Sequence, residues 1–455
     1  MQTLERLAST VDAVHARRSS ARAECEQALA RIEAGRELNA IVAVDAAMSH
    51  READMVDRRL GAGEMLPLAG VALAVKDLNW VGGRRVPQGS HLFADFVAPQ
   101  DALVVARLKQ AGAVVVGMAN SSEFGCKGVT TNPLHGATRH PLDPALTPGG
   151  SSGGCASAIA GGLVAAAMGT DAGGSSRRPA AHVGCVGFKP SIGAVPNGPG
   201  FPTLDVGLEC LCPMAGSVAD IGLLFAAMAG RPAFSGRPSP AGRRLAFTPD
   251  FGLDVPVDPE IAAMLEGALA ALRRAGFFVE RRDLAWPDSA EPADLMPLQL
   301  AMLADLHGEA FERDPDHFDP DIAVQIEAGL RLDARAVSRA LRLSKAVRTR
   351  LDEALEGVDA LLSPTVPCFA WPLTRIGPSH IAGRAVGPRV HAAFTPFINH
   401  GGHPALSLPI GSGSAELPAG LQICGRRHGD DDLLALAAEI EATLCRSGRG
   451  GMHTH

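Results

Sequence analysis

Between Thr147 and Pro190 the chain reads TPGGSSGGCASAIAGGLVAAAMGTDAGGSSRRPAAHVGCVGFKP, which places two Gly-Gly-Ser-Ser blocks in one short span. Glycine has no Cβ, so its backbone N–H groups can come close to a ligand. The Ala/Gly-rich segment between the blocks predicts one tightly packed, buried helix. Two such loops around a packed helix imply that something polar is held between them. Their leading serines, Ser151 and Ser175, lie 24 residues apart.

A lysine far upstream completes a candidate constellation. Lys76 ends the apolar run Val71–Val75, in a chain where only five of the 42 basic residues are lysine, at 76, 109, 127, 189 and 345. A desolvated lysine can give up its proton, whereas arginine effectively cannot. A serine hydroxyl attacks only when a base takes its proton, and burial can bring a lysine into the range where it does so. The plainer alternative is a lysine that closes a strand end or pairs with Asp77. His182, the nearest histidine downstream, has no motif around it and is expected to be structural. Gly149-Gly150-Ser151-Ser152-Gly153 formally matches a G-x-S-x-G elbow, but that turn needs a strand before it. Here HPLDPALTP precedes it, which reads as a loop. No G-K-[ST] follows either glycine cluster, so a phosphate loop is not indicated.

Around this stretch, LAGVALAVKD, AGAVVVGMAN and GCVGFKPSIGAVP predict short buried strands, with a helix over Ala102–Ala111 between the first two. Helical spacing predicts helices over Leu4–Val14, Ala21–Ile32 and Ile41–Leu60 before them. After Arg231, Pro/Gly/Arg-rich loops lead into long amphipathic helices, including Asp258–Ala275 and Ala334–Glu356. ALLSPTVP, PALSLPIG and GLQICG then read as strands again, and Asp431–Leu444 as a closing helix. Sheet elements on both sides of a helical stretch predict an α/β fold with an insertion, not two tandem domains. The expected division is residues 1–65 as N-terminal helices and 66–230 as the catalytic core. Residues 231–357 form a helical pocket insertion, and 358–445 return to the sheet and close the chain.

Composition removes several classes. A net charge of −7, no basic stripe, 4% aromatics and no tyrosine argue against direct nucleic-acid binding. The longest apolar stretch, around Ala156–Met168, is too short to span a bilayer. MQTLERLAST lacks an apolar h-region, so a cytoplasmic protein is expected. The nine cysteines form no framework, and Cys210-Leu211-Cys212 has no second pair to complement it. They read as reduced, small core residues.

GGSSGG, GTDAGGSSRRPAA and GCVGFKP resemble the signature of the amidase signature enzymes. LAGVALAVKD is similar to that family's lysine strand, GAVVVGMANSSEF to its Asn-x-x-Glu-Phe segment, and HGATRHPLDPALTPGGSSGG to the approach to its bridging serine. CPMAGSVAD, ALLSPTVP, PALSLPIG and LPAGLQICG resemble weaker C-terminal blocks. The resemblance implies an amidase signature fold, a mixed central sheet covered by helices on both faces. It implies Ser175 as acyl-accepting nucleophile, Ser151 after a cis peptide as proton bridge, and Lys76 as general base and acid. The amides of Ala172, Gly173, Gly174 and Ser175 would form the oxyanion hole. No cofactor and no metal are implied. The partner is a small-molecule amide, and the assembly is a homodimer or, ranked lower, one with an accessory small subunit.

Departures from the family pattern bear on substrate. Ser176 stands where an aliphatic residue is usual, Cys155 follows GGSSGG, and Cys212 replaces a glycine. Arg177 falls on the family's arginine and is expected to be structural. Arg178 is additional. It either reads a substrate carboxylate or lies solvated on the surface, and Gly149, Gly150 and Cys126 stand with it as substrate-contacting candidates. The loops Gln88–Phe96 and Cys126–Asn132 are expected to shape the pocket. The leading function is a stand-alone amide hydrolase. The rival is the glutaminase subunit of a tRNA-dependent amidotransferase, which resembles N-x-D-E-F where this chain has Asn120-Ser121-Ser122-Glu123-Phe124. A catalytically silent binding protein on the same fold would be expected to lose at least one of Lys76, Ser151 and Ser175.

Overall fold

A computed structural model describes residues 7–203, 207–232 and 242–448. Eleven strands form one mixed sheet. In chain order they are β1 (Ile41–Ala43), β2 (Ala72–Lys76), β3 (Val114–Ala119), β4 (Ala166–Asp171), β5 (Val186–Lys189) and β6 (Cys210–Ala215), followed by β7 (Arg244–Phe247), β8 (Phe278–Arg281), β9 (Ala360–Pro364), β10 (Ala405–Ser412) and β11 (Pro418–Cys424). They lie side by side as β1-β3-β2-β4-β6-β5-β10-β11-β9-β7-β8. β3, β2 and β4 run parallel, as do β9, β7 and β8, and the strands between them are antiparallel.

The strands of the parallel blocks are near-continuous apolar runs because both of their faces are buried. Leu73, Val75, Val115 and Met168 pack into one core cluster, while their neighbours Ala72, Ala74, Val114, Val116 and Ala167 pack into another on the opposite face. Helices Leu103–Gln110, Val218–Ala229, Pro259–Arg274 and Asp430–Arg446 supply the first cluster, and Ala21–Ala34, Ala46–Gly61, Gly153–Ala160 and Arg177–Val183 the second. The fold is the expected α/β one, a mixed sheet with helices on both faces.

Local chemistry sets several boundaries. Ser20 accepts the Ala23 N–H to open helix Ala21–Ala34, and Asp258 accepts the Glu260 N–H with Pro259 at the first helical position. The helices expected over 102–111, 258–275, 334–356 and 431–444 stand within two residues of those bounds at each end. Residues 4–6 of the first expected helix, and 233–241 of the Pro/Gly/Arg-rich loops, lie outside the described residues.

Three expectations are corrected. Ile41–Leu60 is not one helix, because Ile41–Ala43 pairs antiparallel with β3 before helix Ala46–Gly61 begins. The segment between the two Gly/Ser blocks is not one helix either. Helix Gly153–Ala160 stops at Gly161-Gly162, with Gly162 at φ 71°, and residues 166–171 form β4. Residues 231–357 are not purely helical, since β7 and β8 extend the far edge of the sheet.

Candidate active site

The carboxyl ends of the parallel strands β2, β3 and β4 gather the polar residues, the place where open α/β sheets bind ligands. Lys76 is the last residue of β2 and is completely buried. Its Nζ lies 2.8 Å from Ser151 Oγ and 2.8 Å from Thr170 Oγ1, near the end of β4. Lys76 does close the strand, but it does not pair with Asp77, which accepts the Gly89 N–H at 3.0 Å. Burial lowers Lys76 from 10.5 to about 8, with the surrounding acidic groups, Cys155 and Glu209 first among them, pulling weakly the other way. A lysine held there is about one-tenth neutral at pH 7 and about half neutral near pH 8.

Ser151 follows a cis Gly150–Ser151 peptide at the mouth of helix Gly153–Ala160. Thr130 Oγ1 donates to Gly149 O and accepts the Gly153 N–H, which pins the loop at both ends. No strand precedes it, so the elbow reading of this block does not apply. Ser175 sits between β4 and helix Arg177–Val183. Its backbone carbonyl accepts the Ser152 N–H at 3.1 Å, tying the two loops together. The serine side chains of 151 and 175 make no direct hydrogen bond. Ser175 keeps 6% exposure, while Ser151 is closed to 1%.

Gly174 shows why the second loop needs glycine. Its φ is 110°, and a Cβ there would lie 2.1 Å from Thr395 Oγ1, which donates to Gly173 O. The Gly174 N–H, expected in the oxyanion hole, is instead taken by Asp171 Oδ1 at 2.7 Å. The Gly173 and Ser175 amides have no protein acceptor among the described residues.

Beneath the loop lies a buried ionic network that sequence reasoning did not assemble. Arg177 Nε and Nη2 reach Asp171 at 3.0 and 2.9 Å, Nη1 reaches Gln422 Oε1 at 2.8 Å, and Nη2 also reaches Asn399 Oδ1 at 2.6 Å. Burial alone would raise the Asp171 carboxyl, but the Arg177 guanidinium and the Asn399 amide outweigh it and hold the group well below the usual carboxylate range. Asp171 therefore stays ionised while it holds the Gly174 amide, and the structural reading of Arg177 agrees with this geometry. We expect Arg177→Met to lower stability by about 3–5 kcal/mol, because Asp171 would be left as a buried, unpaired charge. A denaturant-unfolding midpoint unchanged from wild type would contradict this.

Arg178 is not solvated. It is 7% exposed, with Nε donating to Gly174 O and Nη2 to Gly150 O, each at 3.3 Å. It thus bridges the residue before the nucleophile to the residue before the proton bridge. His182 is buried edge-on to Trp371, at 5.3 Å between ring centroids, and burial drives it down to about 3, so it is a neutral packing residue. Cys126 joins an apolar cluster with Phe124, Leu303, Phe318 and Ile322. Phe124 stacks on His307 at 4.0 Å, and Gly125 after it passes close to Ser151 Oγ. The nine cysteines form no disulfide with one another. Among the described residues, no group of three or more His, Cys, Asp or Glu is placed to hold a metal ion, and no helix is long and apolar enough to cross a membrane.

Sequence reasoning assigns no role to Thr170, Asn399, Gln422 or Thr395. Thr170 and Asp171 carried a signal, since they immediately precede the glycine pair. The other three are more than 200 residues away and carried none.

Comparison with known proteins then decides the family. The chain matches the Amidase family across residues 24–434. It belongs to the amidase signature family. The A-type subunit of glutamyl-tRNA(Gln) amidotransferase from Synechococcus sp. (strain CC9605) is 33% identical over 466 residues, which cover 93% of either protein. A crystal structure of an amidase superposes with a TM-score of 0.88 at 30% identity, covering 98% of this chain and 100% of that one. A bacterial aryl acylamidase of the amidase signature enzymes gives 0.86 at 27% identity, covering 97% and 96%. This amidase signature protein is accordingly an enzyme of hydrolytic C–N cleavage.

Proposed function

We propose that this protein hydrolyses a small or medium carboxamide through an acyl-enzyme on Ser175, with Ser151 and Lys76 relaying the proton. The observation that carries the reading is the fully buried Lys76 Nζ held 2.8 Å from Ser151 Oγ. A neutral lysine has one lone pair and two N–H groups. Thr170 Oγ1 takes one N–H, which leaves the lone pair free to face the Ser151 hydroxyl.

In acylation Ser175 Oγ bonds to the amide carbonyl carbon. Its proton passes to Ser151 Oγ, and the Ser151 proton passes to Lys76 Nζ. The developing oxyanion meets the Gly173 and Ser175 amides, with the Ala172 amide beside them, while Asp171 fixes the turn through Gly174. As the C–N bond breaks, Lys76 returns the proton through Ser151 to the leaving nitrogen. Water then attacks the acyl carbon by the same route, releasing the acid and restoring the Ser175 hydroxyl. Rotation of the Ser175 hydroxyl closes its bond to Ser151 when a carbonyl is present. The partner is a small-molecule amide, and cytoplasmic placement fits the reduced cysteines.

The names of curated relatives support a second reading, a glutaminase subunit that works beside partner chains. Against it, Ser122 stands at the position of the Asp in that subunit's motif. Its hydroxyl is occupied locally, accepting from the Lys127 N–H at 3.3 Å and donating to Lys127 O at 3.4 Å. The separating experiment assays the purified single chain against glutamine and a panel of other amides, following amine or ammonia release. We expect turnover of non-glutamine amides without any partner. Strict dependence on glutamine and on added subunits would replace the first reading with the second.

A further inference from the structure

Arg178 is a buried guanidinium without a carboxylate. Among the described residues, none stands within 4.0 Å of it. The nearest acidic group whose field reaches it, Asp171, already carries Arg177. Its own bonds are to two main-chain carbonyls, both long at 3.3 Å, and they leave Nη1 unused. Burial pushes Arg178 down only to about 10, so it stays cationic at neutral pH. A buried cation with neutral partners alone is costly, and an opposite charge held by good hydrogen bonds offsets that cost.

Two further groups on a separate element face the same place. His391 is 3% exposed, its Nδ1 has no partner, and its ring lies 4.7 Å from Trp371 and against Gly128. The fields of both Arg178 and Arg389 reach it. Arg389 is exposed; among the described residues it has no ion pair within 4.0 Å, its Nη1 meets Met296 Sδ at 3.4 Å, and the field of Asp321 reaches it. Two guanidinium groups close enough to repel each other, plus an unpartnered buried imidazole, flank the loop that carries Ser151. Among the described residues, neither guanidinium has a carboxylate within 4.0 Å, and of the carboxylates only the fields of Asp171 and Asp321 reach them.

We propose that this enzyme selects amides bearing a carboxylate, read by Arg178 with Arg389 and His391 as its neighbours. The inference rests on the acyl-enzyme reading above. Because Arg178 touches the carbonyls of Gly150 and Gly174, the carboxylate would sit a few bonds from the scissile carbonyl, on the acyl side. A planar guanidinium suits a carboxylate better than an ammonium would.

The test compares pairs of amides of equal length that end, on the acyl side, in a free carboxylate or in its methyl ester, with a third series carrying the carboxylate on the amine side. For wild type we expect kcat/KM on the order of 100-fold higher for the acyl-side carboxylate, as charge-assisted hydrogen bonds give. In Arg178→Gln that ratio should fall by about tenfold or more, mainly through KM, and in Arg389→Gln by a smaller factor. Arg178→Lys should recover only part of it. Equal kcat/KM for acid and ester in wild type, or a preference for the amine-side carboxylate, would overturn the proposal. So would an Arg178→Gln protein that loses kcat on both substrates in equal proportion, since Arg178 would then merely clamp the loops. If Arg178→Gln does not fold, the wild-type ratio and Arg389→Gln still decide. Ester turnover that vanishes in Ser175→Ala would leave the hydrolase reading standing even where the carboxylate preference fails.

Discussion

Ser175→Ala is expected to lower kcat on any accepted amide by on the order of 10⁵–10⁶-fold, the scale seen when a covalent nucleophile is removed from a relay acting as a unit. The proposed chemistry has no second route, because the neighbouring hydroxyls are committed, Thr395 Oγ1 to Gly173 O and Ser176 Oγ to Thr170 O. Ser151 is closed to 1% and bound to Lys76, and burial pushes the Cys155 thiol up to about 12, so it stays protonated. The fold should not notice the change. Among the described residues the Ser175 hydroxyl has no hydrogen-bond partner, so removing it strands no buried donor or acceptor, and the special backbone position is that of Gly174. We expect stability within about 0.5 kcal/mol of wild type. Incubation of wild type with a slow amide or ester should leave an acyl group on the peptide containing Ser175 by mass spectrometry, and none in the variant. Undiminished hydrolysis by Ser175→Ala would refute the mechanism.

The parts of this site that could be read from the sequence are those whose physics is local. Gly174 must be glycine because of its own φ and the wall facing it, and a glycine pair before a serine announces that need. Lys76 stands out because the chain otherwise uses arginine. The long helices were legible for the same reason, as their apolar periodicity and their caps at Ser20 and Asp258 are written within a few residues. The misread elements depend on partners far away. Ala165-Ala166-Ala167-Met168 has no β-branched residue and favours a helix by propensity. It becomes β4 because β2 on one side and β6 on the other offer ladders to it. Ile41–Ala43 is drawn from a helical pattern into the sheet edge by β3. The bonds from Asn399 to Asp171 and from Arg177 to Gln422 likewise join residues more than 200 positions apart, and nothing near Asp171 announces those two partners. Arg178 was readable as an extra charge, but its burial followed only from the closure of two loops over it.

Replacing Lys76 is expected to cost about 10²–10⁴ in kcat/KM, the usual worth of a general base. The informative substitution is Lys76→Arg. If position 76 served only as a fixed cation, arginine would restore a good part of the activity. If it must accept a proton, arginine fails as badly as alanine, because guanidinium does not deprotonate in the working range. The direction of pH dependence follows from the same shift. The working form is neutral and burial lowers the group to about 8, so wild-type kcat/KM should rise about tenfold per unit from pH 5 to pH 7 and level off above 8. Stability carries the matching sign. Between about 8 and 10.5 the unfolded chain binds the Lys76 proton more tightly than the folded one, so this residue's contribution becomes more favourable as pH rises through that window. A volume-conserving Lys76→Met protein lacks the titration, and its stability relative to wild type should be highest below pH 8 and decline towards 10.5. A flat acid limb in wild type down to pH 5, together with substantial activity in Lys76→Arg, would remove lysine from the role of base and leave it as a structural tie between Ser151 and Thr170.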